Sequence, residues 1–539
     1  MSGRQLLSLP PDPLPLPEGP IPSAGWMLRE LYRLRVQANP GKDALCFSDG
    51  VISHRTLLQR LDHGRDRLTR AAARIGCDHP DLVWASYGGD SVDHLLLFLS
   101  SFLDERSLLL LPLQASGVEL SSLAQRAGVH ILVSDRPPPS ELGMVCRTVV
   151  EGEWKLWTPR ETPPATSADI LSSGHPTPVD ASESEGARQA WASLDRAIGL
   201  SMSSGTTTGR PTIQRTAAFE SLAMLQHPEW PLSQRMLFSF RMQFAASRSW
   251  ALRLLMEGHT LCCARVEERS ALPELAGQLE ADTLSVNPAY LGEMIDTRLD
   301  TRFPASLGFL TGTDRVPASL RRRFRDRFGE RLVIALANSR LGPLTRLPAD
   351  QLLAHDGESV GHPLANVRID VAADADPRWR AEGLGEAVVH KHWRVNLWHP
   401  EHGAITLERT ESESRPGDLL RLWPDGQISF GGRANDVFLF RSLLVCPLEI
   451  ENLLAEDDAV EEVVAFGAPS SAYGAVPMAV LRLRPDSSAS EQELERLRRL
   501  CQAAMGAKAP KALIPVDTIP RGPSGKPLRR ELARQYALT

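Results

Sequence analysis

The sequence predicts an α/β fold: a large amino-terminal α/β domain with parallel sheets and a small β unit, then a small α+β carboxy-terminal domain. Three observations carry this expectation. Between residues 81 and 133, and again between 236 and 336, short apolar runs alternate with helical patterns, as strands paired in parallel with helices on both faces require. From Gly361 the apolar runs become short and closely spaced, which suits small β units. Beyond residue 437 a separate set of strand and helix patterns begins.

Taken in order, residues 1–25 are rich in Pro and Leu and read as an extended arm lying on the large domain, residues 26–433. Trp26 to Asn39 has helical apolar spacing, and Asp43 to Val51 reads as two strands around Ser48-Asp49-Gly50. Thr56 to Ile75 is an amphipathic helix ended by Gly76. Strands follow at 81–87, 108–112 and 129–133, with helices at 91–103 and 120–127 between and after them. Thr158 to Arg196, dense in Pro, Ser, Thr, Ala and Glu, reads as a loop. Alternation resumes with strands at 236–240, 258–264, 283–286, 307–310 and 332–336 and helices at 249–256, 272–280 and 289–295. The strongly basic helix 318–327 is expected to be a solvated face. Short strands are expected at 367–371, 386–390 and 405–408. The small domain, residues 434–539, has helices at 447–456 and 490–505 and strands at 460–467 and 478–483.

Hydrophobic residues make up 42% and charged residues 23% of the 539, the balance of an ordinary packed interior. A net charge of -6 gives no reason to expect a nucleic-acid partner. No apolar run reaches the roughly 18 residues of a membrane span, because Asp104-Glu105-Arg106 interrupts the best candidate. The amino end lacks the apolar core of a secretion signal. Seven cysteines without a CxxC pair suit reduced thiols in a cytoplasmic protein, and no metal site is expected from the histidines.

The richest chemical stretch is Ser203-Ser204-Gly205-Thr206-Thr207-Thr208-Gly209-Arg210-Pro211. Gly205 and Gly209 let successive backbone N–H groups turn toward an anion, and the hydroxyls of Ser203, Ser204, Thr206 and Thr207 add donors at the same edge. The stretch is not a Walker A loop, which needs Gly-Lys-Ser/Thr after its second glycine. Gly417-Asp418 opens a second stretch that runs through Asp425-Gly426 to Gly432-Arg433-Ala434-Asn435, a hairpin pattern. A third, Pro523-Ser524-Gly525-Lys526-Pro527, places a lysine on a loop near the carboxyl end.

In this order the three stretches resemble the motifs of the adenylate-forming ligases: acyl- and aryl-CoA synthetases, stand-alone adenylation domains and luciferases. The phosphate loop, with Thr212 in place of the usual Lys, and the segment Arg441-Ser442 through Pro447 to Ile450-Glu451 are most similar to the phenylacetate-CoA ligase branch. Weaker matches include Gly312-Thr313, where the family stacks adenine, and Gly361-His362-Pro363, so the resemblance covers nearly the whole chain. It implies ATP-dependent activation of a carboxylic acid, aryl or medium acyl, to an acyl-adenylate. The acceptor would then be the thiol of CoA or of a phosphopantetheine on a separate carrier protein. It implies that the loop 203–209 holds the outer phosphates and that Gly312 and Thr313 flank adenine. Asp418 would bind the ribose hydroxyls, because one carboxylate can accept two hydrogen bonds. Arg433 would contact the nucleotide, Asn435 would be the hinge, and Lys526 would stabilise the transition state from a mobile small domain. The acyl pocket is expected to draw on residues 238–250 and 306–312.

One segment departs from the family. Where the resemblance implies Tyr-Gly-x-Thr-Glu, the chain has Leu336-Ala337-Asn338-Ser339-Arg340, with Gly342-Pro343 and Thr345 fixing the register. Ser339 keeps a hydroxyl for the α-phosphate. Arg340 stands where the family has the Glu that holds Mg²⁺, and a guanidinium cannot ligate that ion. Three outcomes are open: Arg340 binds phosphate with Mg²⁺ carried only by ATP and water, it pairs with an acidic group on the substrate, or adenylation is impaired and the protein binds nucleotide, acyl ligand or a partner instead. Ser442 also replaces a glycine of the thiol tunnel.

Overall fold

The computed structural model describes residues 13–79, 82–88, 92–104, 106–113, 115–150, 154–160, 184–195, 197–202, 213–225, 233–238, 245–296, 303–312, 314–338, 340–372, 379, 383–484, 487, 490–522 and 526–538. The chain opens with β1 (Leu14–Pro15), α1 (Ala24–Ala38), β2 (Asp43–Phe47), β3 (Gly50–Ser53), α2 (His54–Arg74), β4 (Val83–Tyr87), α3 (Val92–Leu103), β5 (Leu108–Leu110), α4 (Gly117–Arg126) and β6 (Val129–Ser134). It continues with β7 (Met144–Val149), β8 (Lys155–Pro159), α5 (Glu185–Leu194), β9 (Ala197–Met202), β10 (Ile213–Ala217), α6 (Ala218–Leu225), β11 (Arg235–Phe238), α7 (Ala245–Met256) and β12 (Thr260–Cys263). Then come α8 (Leu272–Gln278), β13 (Thr283–Ser285), α9 (Pro288–Asp296), β14 (Gly308–Thr311), α10 (Ala318–Phe328), β15 (Leu332–Ile334), β16 (Ala337–Asn338) and β17 (Gly342–Pro343).

Two seven-stranded sheets result, ordered β10-β9-β5-β4-β6-β8-β7 and β15-β14-β13-β11-β12-β2-β3. Their central strands pair in parallel, as the alternating pattern predicts. The largest core gathers α1, α2, α3, α6 and α7 between the layers around Leu28, Tyr32, Phe219 and Leu255. Helix starts follow local chemistry: Ser53 and Ser116 accept the free N–H groups of α2 and α4, and Ser116 forms a capping box with Glu119.

After the short antiparallel pair β18 (Thr345–Arg346) and β19 (His362–Pro363), a third sheet follows. Its strands are β20 (Val367–Val371), β21 (Gly385–His399), β22 (Gly403–Ser414), β23 (Asp418–Leu422) and β24 (Ile428–Arg433). β1 adds in parallel at Leu397 and Trp398, so the described part of the amino-terminal arm lies on this sheet. Three expectations need correction. β21 and β22 are 15 and 12 residues long rather than short strands. Alternate residues Trp393, Val395, Leu397, Ile405 and Leu407 pack into the main core, so the hairpin is held by burial that a polar-apolar alternation partly hides. Residues 185–194, expected as loop, form α5, capped by Ser184 and burying Trp191. The basic helix α10 is not simply a solvated face: Arg321 is 2% exposed and donates to the carbonyls of Val316 and Ser359.

The last segment has its own core, built from Phe440 to Leu532. It contains β25 (Phe438–Phe440), β26 (Leu443–Val445), α11 (Pro447–Ala455), β27 (Val460–Ser470), β28 (Gly474–Leu483), α12 (Glu491–Met505), β29 (Ala512–Pro515) and α13 (Arg529–Gln535). The β25–β26 turn is Arg441-Ser442, with φ of 49° and 66°. Both residues occupy the left-handed region that glycine fills without cost, and Ser442 stands where the resemblance expects Gly.

Candidate functional site

The site lies where the third sheet, the end of the second sheet and the last segment meet. Asp418 and Arg433 are direct partners in the β23–β24 register. Arg433 Nη1 donates to Asp418 Oδ1 at 2.5 Å. Gly417, at φ 76°, makes the turn into β23, and its carbonyl accepts from Ala434 N at 2.9 Å. Asp418 is 5% exposed. Burial raises its carboxyl above the ordinary value, while Arg433 and then Lys526 pull it back.

Lys526 belongs to the small domain. Lys526 sits on the return of a loop in which Gly522 N donates to Lys526 O at 2.9 Å and Leu528 N to Pro520 O at 2.9 Å. The loop is clamped at both ends: Arg521 pairs with Glu462, and Arg529 Nη1 pairs with Glu451 at 2.5 Å. Around it, Arg315 donates to Asn452 and Arg322 pairs with Glu456, so the turn after β14 and the start of α10 dock on α11. Asn435, the expected hinge, is exposed in a single 3₁₀ turn, 434–436.

Gly312 ends β14. A Cβ there would lie 2.8 Å from the carbonyl oxygen of Ala335, so only glycine fits this approach. Arg340 lies at the tip of the β16–β17 hairpin, whose register pairs Ala337 with Pro343 and Asn338 with Gly342. Asn338 Oδ1 accepts from Arg340 N at 2.9 Å and Leu341 N at 3.2 Å, which shapes the turn. The Arg340 guanidinium donates to Ser414 Oγ at the end of β22. Ser203, Ser204, Gly205, Thr206, Thr207, Gly209, Thr313 and Ser339 lie outside the described residues, as does 239–244 of the expected acyl pocket. The strands that flank the phosphate loop are described: β9 and β10 are antiparallel, with Met202 opposite Ile213.

Residue-by-residue reading missed Arg248 and Lys391. Arg248, on α7, donates to Leu200 O at 3.0 Å just before the phosphate loop, and burial pushes its guanidinium down to about 10. Lys391 supports the β16–β17 hairpin from below. Nothing in their flanking residues marks them out; a charged residue on the apolar face of a strand or helix is the signal available. The described residues hold no group of three or more His, Cys, Asp or Glu suited to a metal ion. Arg340, which the resemblance places at the metal position, cannot ligate Mg²⁺, so the described donors do not fit a protein-held ion.

Comparison with known proteins finds relatives among the acid–thiol ligases. Residues 449–526, which include the lysine loop, match the family model of the AMP-binding enzyme C-terminal domain. The chain is 25% identical over 364 residues to a medium/long-chain fatty acid–CoA ligase of Mycobacterium tuberculosis, covering 64% of this chain and 62% of that one. The carboxy-terminal residues 449–526 are thus similar to the C-terminal domain of AMP-binding enzymes. It is also 31% identical over 199 residues to a fatty acid–[acyl-carrier-protein] ligase of Streptomyces coeruleorubidus, 36% of this chain and 37% of the relative. The chain thus spans less than two thirds of either ligase. The o-succinylbenzoate CoA synthetase of Bacillus subtilis, solved with its acyl-adenylate, shares the fold at a TM-score of 0.70 and 18% identity, over 93% of this chain and 97% of that one. No helix among the described residues is long and apolar enough to cross a membrane.

Proposed function

We propose that this protein activates a carboxylic acid, aryl or medium acyl, with ATP and passes the acyl group to a thiol. A carboxylate oxygen attacks the α-phosphorus, the bond to pyrophosphate breaks, and an acyl-adenylate forms. The thiolate of CoA or of a carrier-protein phosphopantetheine then attacks the acyl carbon and AMP leaves. The observation that carries this reading is the buried Asp418–Arg433 pair, with Arg433 Nη1 donating to Asp418 Oδ1 at 2.5 Å, beside a small domain docked through Arg322 and Glu456.

In this reading Asp418 accepts from the ribose hydroxyls and Arg433 holds that carboxylate charged and turned toward the nucleoside. Lys526 supplies a compact positive charge where negative charge develops between carboxylate and phosphate. The turn at Gly312 and Thr313 flanks adenine, and the 203–209 loop binds the outer phosphates between β9 and β10. Ser339 and Arg340 face the phosphates as hydroxyl donor and fixed cation. Mg²⁺ enters with ATP and keeps water in place of a protein carboxylate. Catalysis is positioning and charge stabilisation rather than covalent chemistry by the protein. We place the reaction in the cytoplasm, which suits seven free thiols.

The test is pyrophosphate exchange into ATP over a panel of carboxylates, with wild type and Lys526→Ala. Exchange with at least one acid, lost by about 10²- to 10³-fold in the variant while AMP still binds, supports the enzyme. Silence across the panel with AMP binding intact points instead to a nucleotide- or acyl-binding protein impaired by Arg340.

A further inference from the structure

Lys391 occupies a position where a lysine is costly. Along β21 the residues Val389, Trp393, Val395 and Leu397 are buried, and Lys391 falls in the same alternation at 2% exposed. Lysine is almost never fully buried without partners. A leucine or methionine in this slot would pack without the desolvation cost of an ammonium. What Lys391 does instead is specific. Its Nζ donates to Leu341 O at 2.6 Å and to Pro343 O at 3.1 Å, and it lies 4.2 Å from the centroid of the Trp393 ring. The two carbonyls bracket Gly342, whose φ of 71° turns the chain toward the ammonium.

Those carbonyls belong to the descending arm of the hairpin that carries Arg340 at its tip. The same strand pair grips the tip from the other side, where Ser414, opposite Val389 in the β21–β22 register, accepts from Arg340. Thr345 Oγ1 closes the base by accepting from Leu336 N at 3.3 Å and donating to Val360 O at 2.5 Å.

We propose that Lys391 is a positioning residue for adenylation: it clamps the 337–343 hairpin so that Ser339 and Arg340 meet the phosphates of ATP. The proposal rests on the adenylate-forming reading above. Protonation strengthens the clamp, since an ammonium binds a carbonyl about twice as strongly as a neutral donor does. Burial pushes Lys391 down to about 7, opposed by Glu220 on α6. Glu220 is itself paired with Arg409 on β22. β20 presents Val367 opposite Lys391, and among the described residues the hairpin presents Leu341, Gly342 and Pro343. The clamp is therefore charged below about pH 7 and loses its charge above it.

The experiment is pyrophosphate exchange by the full chain, with an acid that wild type activates, for wild type, Lys391→Met and Lys391→Arg between about pH 6 and 9. In wild type, kcat is expected to fall on the alkaline side of about pH 7. Lys391→Met is expected to lose about 10- to 100-fold in kcat, with KM for ATP within about threefold and no alkaline limb. Lys391→Arg keeps its charge throughout, so the limb moves out of range. A wild-type profile flat from pH 6 to 9, Lys391→Met with wild-type kcat, or Lys391→Arg with the limb unmoved each overturns the proposal. If Lys391→Met does not fold, the wild-type and Lys391→Arg profiles still decide. Wild-type silence across the acid panel overturns the functional reading itself, and this proposal with it.

Discussion

Asp418 and Arg433 stand opposite one another across β23 and β24, and the guanidinium donates to the carboxylate at 2.5 Å. The pair is built by register: one strand begins with the Asp and the other ends with the Arg, so neither residue needs a loop to find its partner. Removing the carboxylate should cost nucleotide binding directly. Asp418→Ala is expected to raise KM for ATP about 10- to 100-fold, the equivalent of about 1.5–3 kcal/mol for hydrogen bonds to a charged group. Burial raises Asp418 above its ordinary value of 3.8, so acid should release nucleotide earlier than an exposed aspartate would. AMP titrations between about pH 4 and 7 should show affinity falling as pH drops, from above the usual carboxylate range. Affinity unchanged down to pH 4 would contradict the assignment.

Gly312→Ala tests the adenine turn. Its Cβ would press on the Ala335 carbonyl at 2.8 Å and on Ala335 Cβ at 3.3 Å. Ala335 cannot retreat easily, because its N–H donates to Thr311 O at 2.9 Å. Overpacking of this kind costs about 1–3 kcal/mol. A lower melting temperature and a raised KM for ATP are expected together. A variant with wild-type values for both would show that the turn yields.

Most of the α/β architecture was legible because parallel strands and amphipathic helices write different periods. Val83–Tyr87, Leu108–Leu110 and Val129–Ser134 fall within a residue or two of the apolar runs that predict them. The β21–β22 hairpin was under-read because polar His392, Arg394, Glu408 and Thr410 break the apolar signal on its solvent face. Helix α5 was missed because its segment adjoins a Pro-rich stretch, although Ser184 with Ala187 N gives it a cap. In the site, Asp418 and Arg433 could be found by motif. Lys391 could not, since its role depends on a carbonyl pair some 50 residues away in sequence. The same holds for α10, whose arginines look solvated until Arg322 is placed against Glu456.

That contact yields a third prediction. Arg322→Glu should weaken docking of the small domain in the arrangement that brings Lys526 toward Asp418. Exposed pairs are worth about 0.2–1 kcal/mol, so pyrophosphate exchange should slow by about two- to fivefold while AMP affinity stays constant. Combining it with Glu456→Arg should restore the rate. Equal slowing in the single and double variants would mean that the pair does not hold the domain.

Arg340 offers the sharpest test of how the proposed activity would depart from the pattern of the adenylate-forming ligases. Its backbone N–H donates to Asn338 and its guanidinium to Ser414, so the side chain is held at the tip of the hairpin. A fixed guanidinium can neutralise phosphate charge that a carboxylate-bound metal would otherwise meet. Wild type should therefore need Mg²⁺ only up to the level that saturates ATP. Arg340→Ala should lower kcat for exchange by about 10²-fold, and added Mg²⁺ should not restore it. Arg340→Glu puts repulsive charge beside the phosphates but also supplies an oxygen ligand, so its loss should shrink as Mg²⁺ is raised well past ATP. The two variants thus separate charge from coordination: parallel Mg²⁺ curves would mean that the residue acts by charge alone, and wild-type rates in both would place Arg340 outside the site.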